Sequence, residues 1–390
     1  MLKYHDALNR ILDHVTALEP KPMPLEECLG LVLAEDVFAK EDIPCYDNSA
    51  MDGYAVRAAD LAKTSAESPL TLRILERVPA GQIPTAEVEA CTAVKVMTGG
   101  MIPPGADAVV PVEHAEDLGD IVRFERPTKP GENIRPAGED LKSGELALSA
   151  GTELNPYRLA LLAAVGAASP LVYPRPKVAV LPTGSELLPI ESPLAPGKVR
   201  DSASVAVVAQ LREIGALPAR AEITSDIQEE IESRLMELAE SADAVITIGA
   251  VSMGDYDCVR PAVEKLGEVI FWKLAIRPGS PFLFGKLKGK PFFGLPGNPT
   301  SAMVTFEMLA GPALMRMMGK THKPTVVRAI SEADIRDREG RRSFIRGSCA
   351  QNGGILKAKP VGAQGSGLHK PMAQANCLIV IPEDVTEIKN

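Results

Sequence analysis

The sequence predicts a multidomain α/β and β protein in which one doubly wound α/β domain is flanked in the chain by small β domains. Three observations carry this. The chain has 390 residues, more than one hydrophobic core ordinarily supports. Between residues 176 and 319, apolar strand-like runs alternate with helical segments, as in a parallel sheet covered by crossover helices. At 46–142 and 320–390, short β-prone runs are separated by Gly- and Pro-rich turns, with no long helical period.

Taken in order, residues 4–18 read as an amphipathic helix, because Leu8, Ile11, Leu12, Val15 and Leu18 recur at helical spacing before Pro20. Residues 24–38 read as a second short helix followed by a strand. The runs LTLRILERV, AVKVM, DAVVPVE and IVRFERP then supply strands of a β domain. A helix is expected over 156–167, with Pro156 suited to its first turn. The α/β stretch follows: strand 178–181, helix 203–214 closed by Gly215, strand 219–223, helix 227–240, strand 244–249 and helix 258–266. Two more short strands lead to the loop PGNP and a last helix, TSAMVTFEMLAG.

Composition narrows the function classes. The formal net charge is -9, which repels nucleic acid and anionic membrane. Aromatics make up only 4% of residues, so stacking platforms for bases are not expected. No stretch approaches the length of a membrane span, and the start MLKYHDALNRIL lacks the apolar core of a secretory signal. Six cysteines, none in a CxxC pair, read as reduced thiols of a cytoplasmic protein. The five histidines are scattered, and no GxxxxGK[ST], GxGxxG or GxSxG motif occurs where it would carry weight.

Four loops follow apolar strands and combine Gly, Pro and acidic residues. They are Pro182-Thr183-Gly184-Ser185-Glu186-Leu187; Gly249-Ala250-Val251-Ser252-Met253-Gly254-Asp255-Tyr256-Asp257; Arg277-Pro278-Gly279-Ser280-Pro281; and Pro296-Gly297-Asn298-Pro299-Thr300-Ser301. Glycines let backbone approach a ligand, and successive N–H groups, with the helix start after Pro299, offer a cradle for a phosphate or oxoanion. Glu186, Asp255 and Asp257 suit a hard cation such as Mg²⁺, and Arg277 supplies positive charge. Any one such loop is usually a plain connector, and Asp226 with Glu229 fits a helix cap as well as a ligand contact. Convergence at the carboxyl ends of one sheet favours function.

In the first β region, DNSAMDGYA carries Asp52 in a polar segment with no obvious helix after it. MTGG carries Thr98, GENIR carries Arg135 as a candidate anion fork, and GED carries Asp140 as a metal or hydroxyl partner.

The order of DNSAMDGYAVR, MTGG-x-x-PPGADAVVPVE, GENIR-x-x-GED, PTGSEL, VSMGDYD, RPGSPFLFG and GLPGNPTS resembles the MoeA family, bacterial relatives of the C-terminal domain of gephyrin. QGSGLHKPMAQANCLIVIPE resembles that family's last domain, so the likeness runs from about residue 4 to 385. It implies four domains: an elongated helical and strand domain (1–45 and 143–173), an inserted β domain (46–142), a MogA-like molybdopterin-binding α/β domain (174–319) and a C-terminal β barrel-like domain (320–390). It also implies a homodimer with a cleft between the α/β domain of one subunit and the inserted domain of the other.

The resemblance further implies a Mg²⁺-dependent molybdopterin molybdenumtransferase. Molybdate and adenylylated molybdopterin, the latter made by a MogA-type enzyme, would be the substrates, and AMP would leave. Molybdoenzymes would be transient partners. Carried onto this sequence, the catalytic set is Asp52, Glu186, Asp226 and Asp257, with Glu186, Asp226 and Asp257 also holding the metal. Substrate contacts fall to Thr98, Arg135, Asp140, Thr183, Gly184, Ser252, Asp255, Arg277, Pro296, Gly297, Asn298 and Pro299. Two departures stand out. Ala250 replaces a usual glycine, and Ser280 a usual lysine, a change worth about 1–3 kcal/mol of anion binding in a desolvated site. A molybdopterin-binding scaffold without turnover and a tungstate-inserting paralogue are the alternative functions.

Overall fold

The computed structural model describes residues 1–251, 258–337 and 340–390. The chain divides into two compact units. One comprises residues 1–22, 30–34 and 171–390, and the other residues 23–29 and 35–170.

The larger unit is built on a six-stranded sheet. Its strands are β1 (Lys177–Pro182), β2 (Leu217–Arg220), β3 (Ala244–Ile248), β4 (Gly267–Trp272), β5 (Leu283–Leu287) and β6 (Lys290–Leu295), in the order β2-β1-β3-β6-β5-β4. β2, β1, β3 and β6 run parallel, whereas β5 and β4 are antiparallel. The all-parallel expectation therefore fails at one edge. The short Lys288-Gly289 turn between β5 and β6 leaves no room for a crossover helix, so the pair must form a hairpin.

Helices cover both faces. α1 (Tyr4–His14), α2 (Ala203–Ile214), α5 (Pro299–Thr305) and α6 (Gly311–Met317) share a core with Val178, Ile246, Phe284 and Phe293. α3 (Gln228–Ser241) and α4 (Val259–Leu266) share the opposite core with Leu181, Val245, Leu283 and Phe292. Alternate residues of one strand thus serve opposite layers, and each fully buried Phe or Leu adds about 1.5–3 kcal/mol. Gly215, at φ 92°, ends α2 as expected.

Two helices depart from the sequence expectation. α1 stops at His14, because Val15 is extended and the chain turns so that the Leu18 N–H donates to Met317 O at 2.8 Å. The last helix is interrupted by a π-helical turn over Phe306–Ala310 before α6. Pro312 has no N–H to give to the carbonyl four residues back. That carbonyl, Met308 O, instead accepts the Tyr4 hydroxyl at 3.3 Å. Residues 24–38 form only a 3₁₀ turn, Leu25–Glu27, and the short strands Val32–Leu33 and Val37–Phe38. Prolines 22 and 24 precede that turn, and Gly30 at φ 75° closes it.

The C-terminal part of this unit pairs Arg342–Asn352 with Ile355–Pro360 and Cys377–Ile381. Ile276–Arg277 joins the same sheet in parallel with Arg342-Ser343.

The smaller unit holds a second six-stranded sheet, ordered Ala108–Pro111, Gly53–Val56, Thr92–Val96, Leu70–Val78, Ile121–Phe124, Ala115–Asp117. Tyr54, Leu61, Leu72, Val122 and Phe124 form its core. The helix Pro156–Ala164 starts at Asn155, whose side chain accepts the Arg158 N–H at 3.0 Å.

Candidate functional site

In the larger unit, three of the four loops meet at the carboxyl ends of adjacent parallel strands. β1 runs into Thr183-Gly184, β3 into Gly249-Ala250 and β6 into Pro296-Gly297. The Thr183 N–H donates to Ile248 O at 2.9 Å and the Gly249 N–H to Leu295 O at 3.0 Å. A methyl added to Gly249 would sit 2.3 Å from Thr183 O, and one on Gly297 would touch Gly249 Cα at 3.4 Å. The backbone packing thus requires glycine at 249, where φ is 106°. Thr183, Gly184 and Pro296 are buried, whereas Gly297 and Asn298 are exposed at the rim and Pro299 is half-buried.

Ala250 has φ 51°, a left-handed conformation that costs a non-glycine residue about 1–2 kcal/mol. The usual glycine thus has a conformational reason at this position.

Carboxylates frame the first loop. Glu186 folds back over Gly184, where a methyl would fall 2.7 Å from its Oε2. Asp226 does not cap α3, which starts after Ile227 without a side-chain cap. Its Oδ2 instead accepts the Ser185 N–H at 2.9 Å, and its own N–H donates to Ser185 Oγ at 3.3 Å. Glu186 and Asp226 therefore flank one residue, Ser185. Ser185 O in turn accepts Lys198 Nζ at 2.6 Å.

Two carboxylates with oxygens to spare fit a hard cation that keeps several waters. Among the described residues no group of three His, Cys, Asp or Glu is placed to hold a metal. Ser252, Asp255 and Asp257 lie outside the described residues.

The helix start after Pro299 offers less than the sequence promised. Pro299 has no N–H, and the Thr300 N–H is given to Ser366 O at 3.2 Å. Thr300 Oγ1 also donates, to Leu368 O at 3.1 Å. Those donors hold the Gly365-Ser366-Gly367 turn, a partner that local sequence does not reveal.

The fourth loop points to the C-terminal sheet. Arg277 Nη1 lies 3.2 Å from Asp337 Oδ1, and Ser280 Oγ donates to Leu274 O at 2.7 Å. Arg277 lines a cavity of about 230 Å³ together with Arg336, Arg346, Asp334, Asp337 and Gln364. Arg346 is 1% exposed; its Nη2 donates to Ala363 O and Gly365 O, but its Nε has no hydrogen-bond partner. Burial, and then the nearby charge of Arg277, push its pKa down. A buried guanidinium with an open N–H beside two further cations, Arg277 and Arg336, themselves paired with Asp337 and Glu387, is a candidate contact for an oxoanion. Sequence reading missed Arg346, although a cation at a buried position within the β run RSFIRG is itself a signal.

The smaller unit gathers the remaining candidates. Asn48-Ser49 pairs with Ile134-Arg135, and the Gly99 N–H donates to Ser49 O at 2.8 Å. Asp52 Oδ1 accepts both Thr98 N–H, at 2.7 Å, and Thr98 Oγ1, at 2.8 Å. The backbone bond first, and the hydroxyl second, lower the Asp52 pKa. Arg135 and Asp140 are exposed, and the Asp140 N–H donates to Ile43 O at 3.0 Å. The motifs carrying Asp52, Thr98 and Arg135 thus share one sheet corner, while Asp140 sits on the strand-like stretch opposite Ile43.

Comparison with known proteins agrees across the chain. The family described as MoeA N-terminal region (domain I and II) matches residues 2–166, the probable molybdopterin binding domain matches 179–316, and the MoeA C-terminal region (domain IV) matches 328–390. The molybdopterin molybdenumtransferase of Haemophilus influenzae is 38% identical, covering 98% of this chain and 95% of its own length. That of Bacillus subtilis is 35% identical, covering 97% and 89%. A solved molybdopterin biosynthesis MoeA protein from Pyrococcus horikoshii superposes with a TM-score of 0.80 at 32% identity, covering 100% of this chain and 97% of that one.

Proposed function

The chain belongs to the MoeA family, and from that premise we propose how its residues insert molybdate into adenylylated molybdopterin with release of AMP. It is a transferase of molybdenum cofactor biosynthesis. No helix among the described residues is long and apolar enough to cross a membrane; we place the protein in the cytoplasm, as a homodimer of four-domain subunits with boundaries near residues 45, 142, 173 and 319.

In this reading the loops after β1, β3 and β6 seat the pterin. Glycines 184, 249 and 297 allow backbone to close on it, and Thr183, Asn298, Pro296 and Pro299 orient it. Glu186 and Asp226, completed by Asp257, would hold Mg²⁺, which would neutralise charge on the phosphate link. Arg346 and Arg277 bind molybdate as the second substrate. The observation that carries this oxoanion role is the buried Arg346 with its open Nε. Thr98, Arg135 and Asp140, with Asp52 ionised by its two Thr98 bonds, complete the cleft from the second subunit. As the two dithiolene sulfurs replace two oxo groups of molybdate, which leave as water, one water is consumed in hydrolysing the phosphoanhydride link, and AMP departs. The adenylylated pterin implies a MogA-type adenylyltransferase upstream and molybdoenzymes as acceptors downstream.

The test is AMP release from adenylylated molybdopterin with Mg²⁺ and molybdate, with Asp257→Ala in parallel. Release that depends on molybdate and is lost in the variant supports the reading. Tight pterin binding without AMP release makes the protein a binding scaffold, and release with tungstate alone makes it a tungstate enzyme.

A further inference from the structure

The loop after β3 leaves the sheet through Ala250 and Val251 and enters α4 through Cys258 and Val259. Its two ends are tied to each other, since the Val259 N–H donates to Ala250 O at 3.3 Å. Val251 is 2% exposed, and its side chain fills a notch left open by Gly294 of β6, where a methyl would fall 2.8 Å from Val251 Cγ1. On the exit side, Cys258 Sγ donates to Asp226 O at 3.2 Å. The end of the loop is thus attached to the residue whose carboxylate accepts the Ser185 N–H.

One side chain reaches both ends. Trp272, the only tryptophan in the chain, is the last residue of the edge strand β4. Its indole Nε1 donates to Val251 O at 2.9 Å. The guanidinium of Arg260, in the first turn of α4, lies 4.5 Å from the indole centroid, and Glu264 orients it by accepting its Nε–H at 2.8 Å. The Lys273 ammonium adds a second cation 4.3 Å from the ring. An indole that gives its N–H to one end of the loop and its π face to the other is fixed by two directional contacts. β4 pairs with β5 through its backbone, so these contacts are not what holds the strand.

We infer that Trp272 is a positioning residue for the carboxylate site at Ser185. By clasping the entry and the exit of the loop it holds Cys258, and through Cys258 it holds Asp226 beside Ser185 and Glu186. The site is thereby organised before the cation arrives. The inference rests on the reading of Glu186 and Asp226 as cation ligands given above, and it assigns Trp272 an action through the loop rather than on the cation or the substrate.

The probe is Mn²⁺ alone, which takes the same oxygen ligands as Mg²⁺, with binding to the full-length protein read from the EPR signal of free Mn²⁺. Replacing Trp272 by 3-benzothienylalanine exchanges the indole N–H for sulfur and keeps the bicyclic ring; Trp272→Phe removes the N–H together with one ring. The parent is expected to bind Mn²⁺ saturably and Asp226→Asn to lose that binding. Both Trp272 replacements are expected to weaken it about tenfold, as is usual when a partner behind a metal ligand is removed. The thermal midpoint of the benzothienylalanine protein is expected to stay close to that of the parent. Parent-like Mn²⁺ affinity in the benzothienylalanine protein, whatever its thermal midpoint, would overturn the inference while leaving the cation site standing, because a purely structural tryptophan predicts that result. Absence of Mn²⁺ binding by the parent, or binding that Asp226→Asn does not alter, would overturn the cation reading and the inference with it.

Discussion

At the scale of single residues, burial separates Arg346 from the other candidates. Its Nη2 is committed to two carbonyls while Nε stays open, so the side chain is held rigidly with one donor to spare. Arg346→Lys keeps the charge but loses the planar fork. We expect the KM for molybdate to rise about tenfold, equivalent to ~1.4 kcal/mol, with AMP release at saturating molybdate little changed. Steady-state kinetics at varied molybdate measures this.

Glu307 tests a different balance. Partial desolvation, and then the charge of Glu213, raise its carboxyl above the usual carboxylate value, although the residue as a whole is exposed. A raised acid binds its proton more tightly in the folded than in the unfolded state, so stability falls as pH rises between the two pKa values. Glu307→Gln is therefore expected to match the parent in thermal midpoint below about pH 4 and to exceed it once pH passes the raised value. A set of melting curves across that window decides it, and a variant that is less stable at neutral pH would count against the assigned cause.

At the scale of elements, the parallel strands β1, β3 and β6 do more than form a core. Their adjacency forces three glycine loops into backbone contact, leaving carboxylates around Ser185 at the rim. Ala250 marks where this chain departs from the usual glycine. Relieving its left-handed conformation by Ala250→Gly is expected to stabilise the protein by about 0.5–1 kcal/mol, after the entropy of the added glycine is subtracted. Denaturant unfolding checks the sign. Gly249→Ala, whose methyl would meet Thr183 O, should move stability the other way. The interrupted last helix shows the same dependence on neighbours. Pro312 removes one donor, and Tyr4 from the start of the chain supplies another.

At the scale of the whole molecule, the candidates divide between the two compact units, with Glu186, Asp226 and Arg346 in one and Asp52, Thr98 and Arg135 in the other. If each active site draws on two subunits, Asp52→Ala and Glu186→Ala should each be inactive alone. Reassorted together they should recover about a quarter of the parent activity, because half the dimers are mixed and each mixed dimer regains one site. AMP release after mixing and refolding measures it, and no recovery would mean that each subunit completes its own site.

Much of this organisation is legible in the chain itself. Apolar periodicity located most strands and helices of the α/β stretch, since periods of 2 and 3.6 are local properties of consecutive residues. The ordered motifs identified the family, and the net charge of -9 turned the reading away from nucleic acid. The antiparallel edge of the sheet follows from the short Lys288-Gly289 turn, a local feature that the strand–helix reading passed over, whereas the early stop of α1, through the Leu18 bond to Met317, and the Tyr4 bond that satisfies Met308 O at the π turn were decided by tertiary structure. So were Asp226's attachment to Ser185, the use of the Thr300 N–H by Ser366, and the burial of Arg346 beside Arg277. Hydrogen-bond partners and desolvation depend on which distant groups the fold brings within a few ångströms, and no local pattern of residue types records that distance.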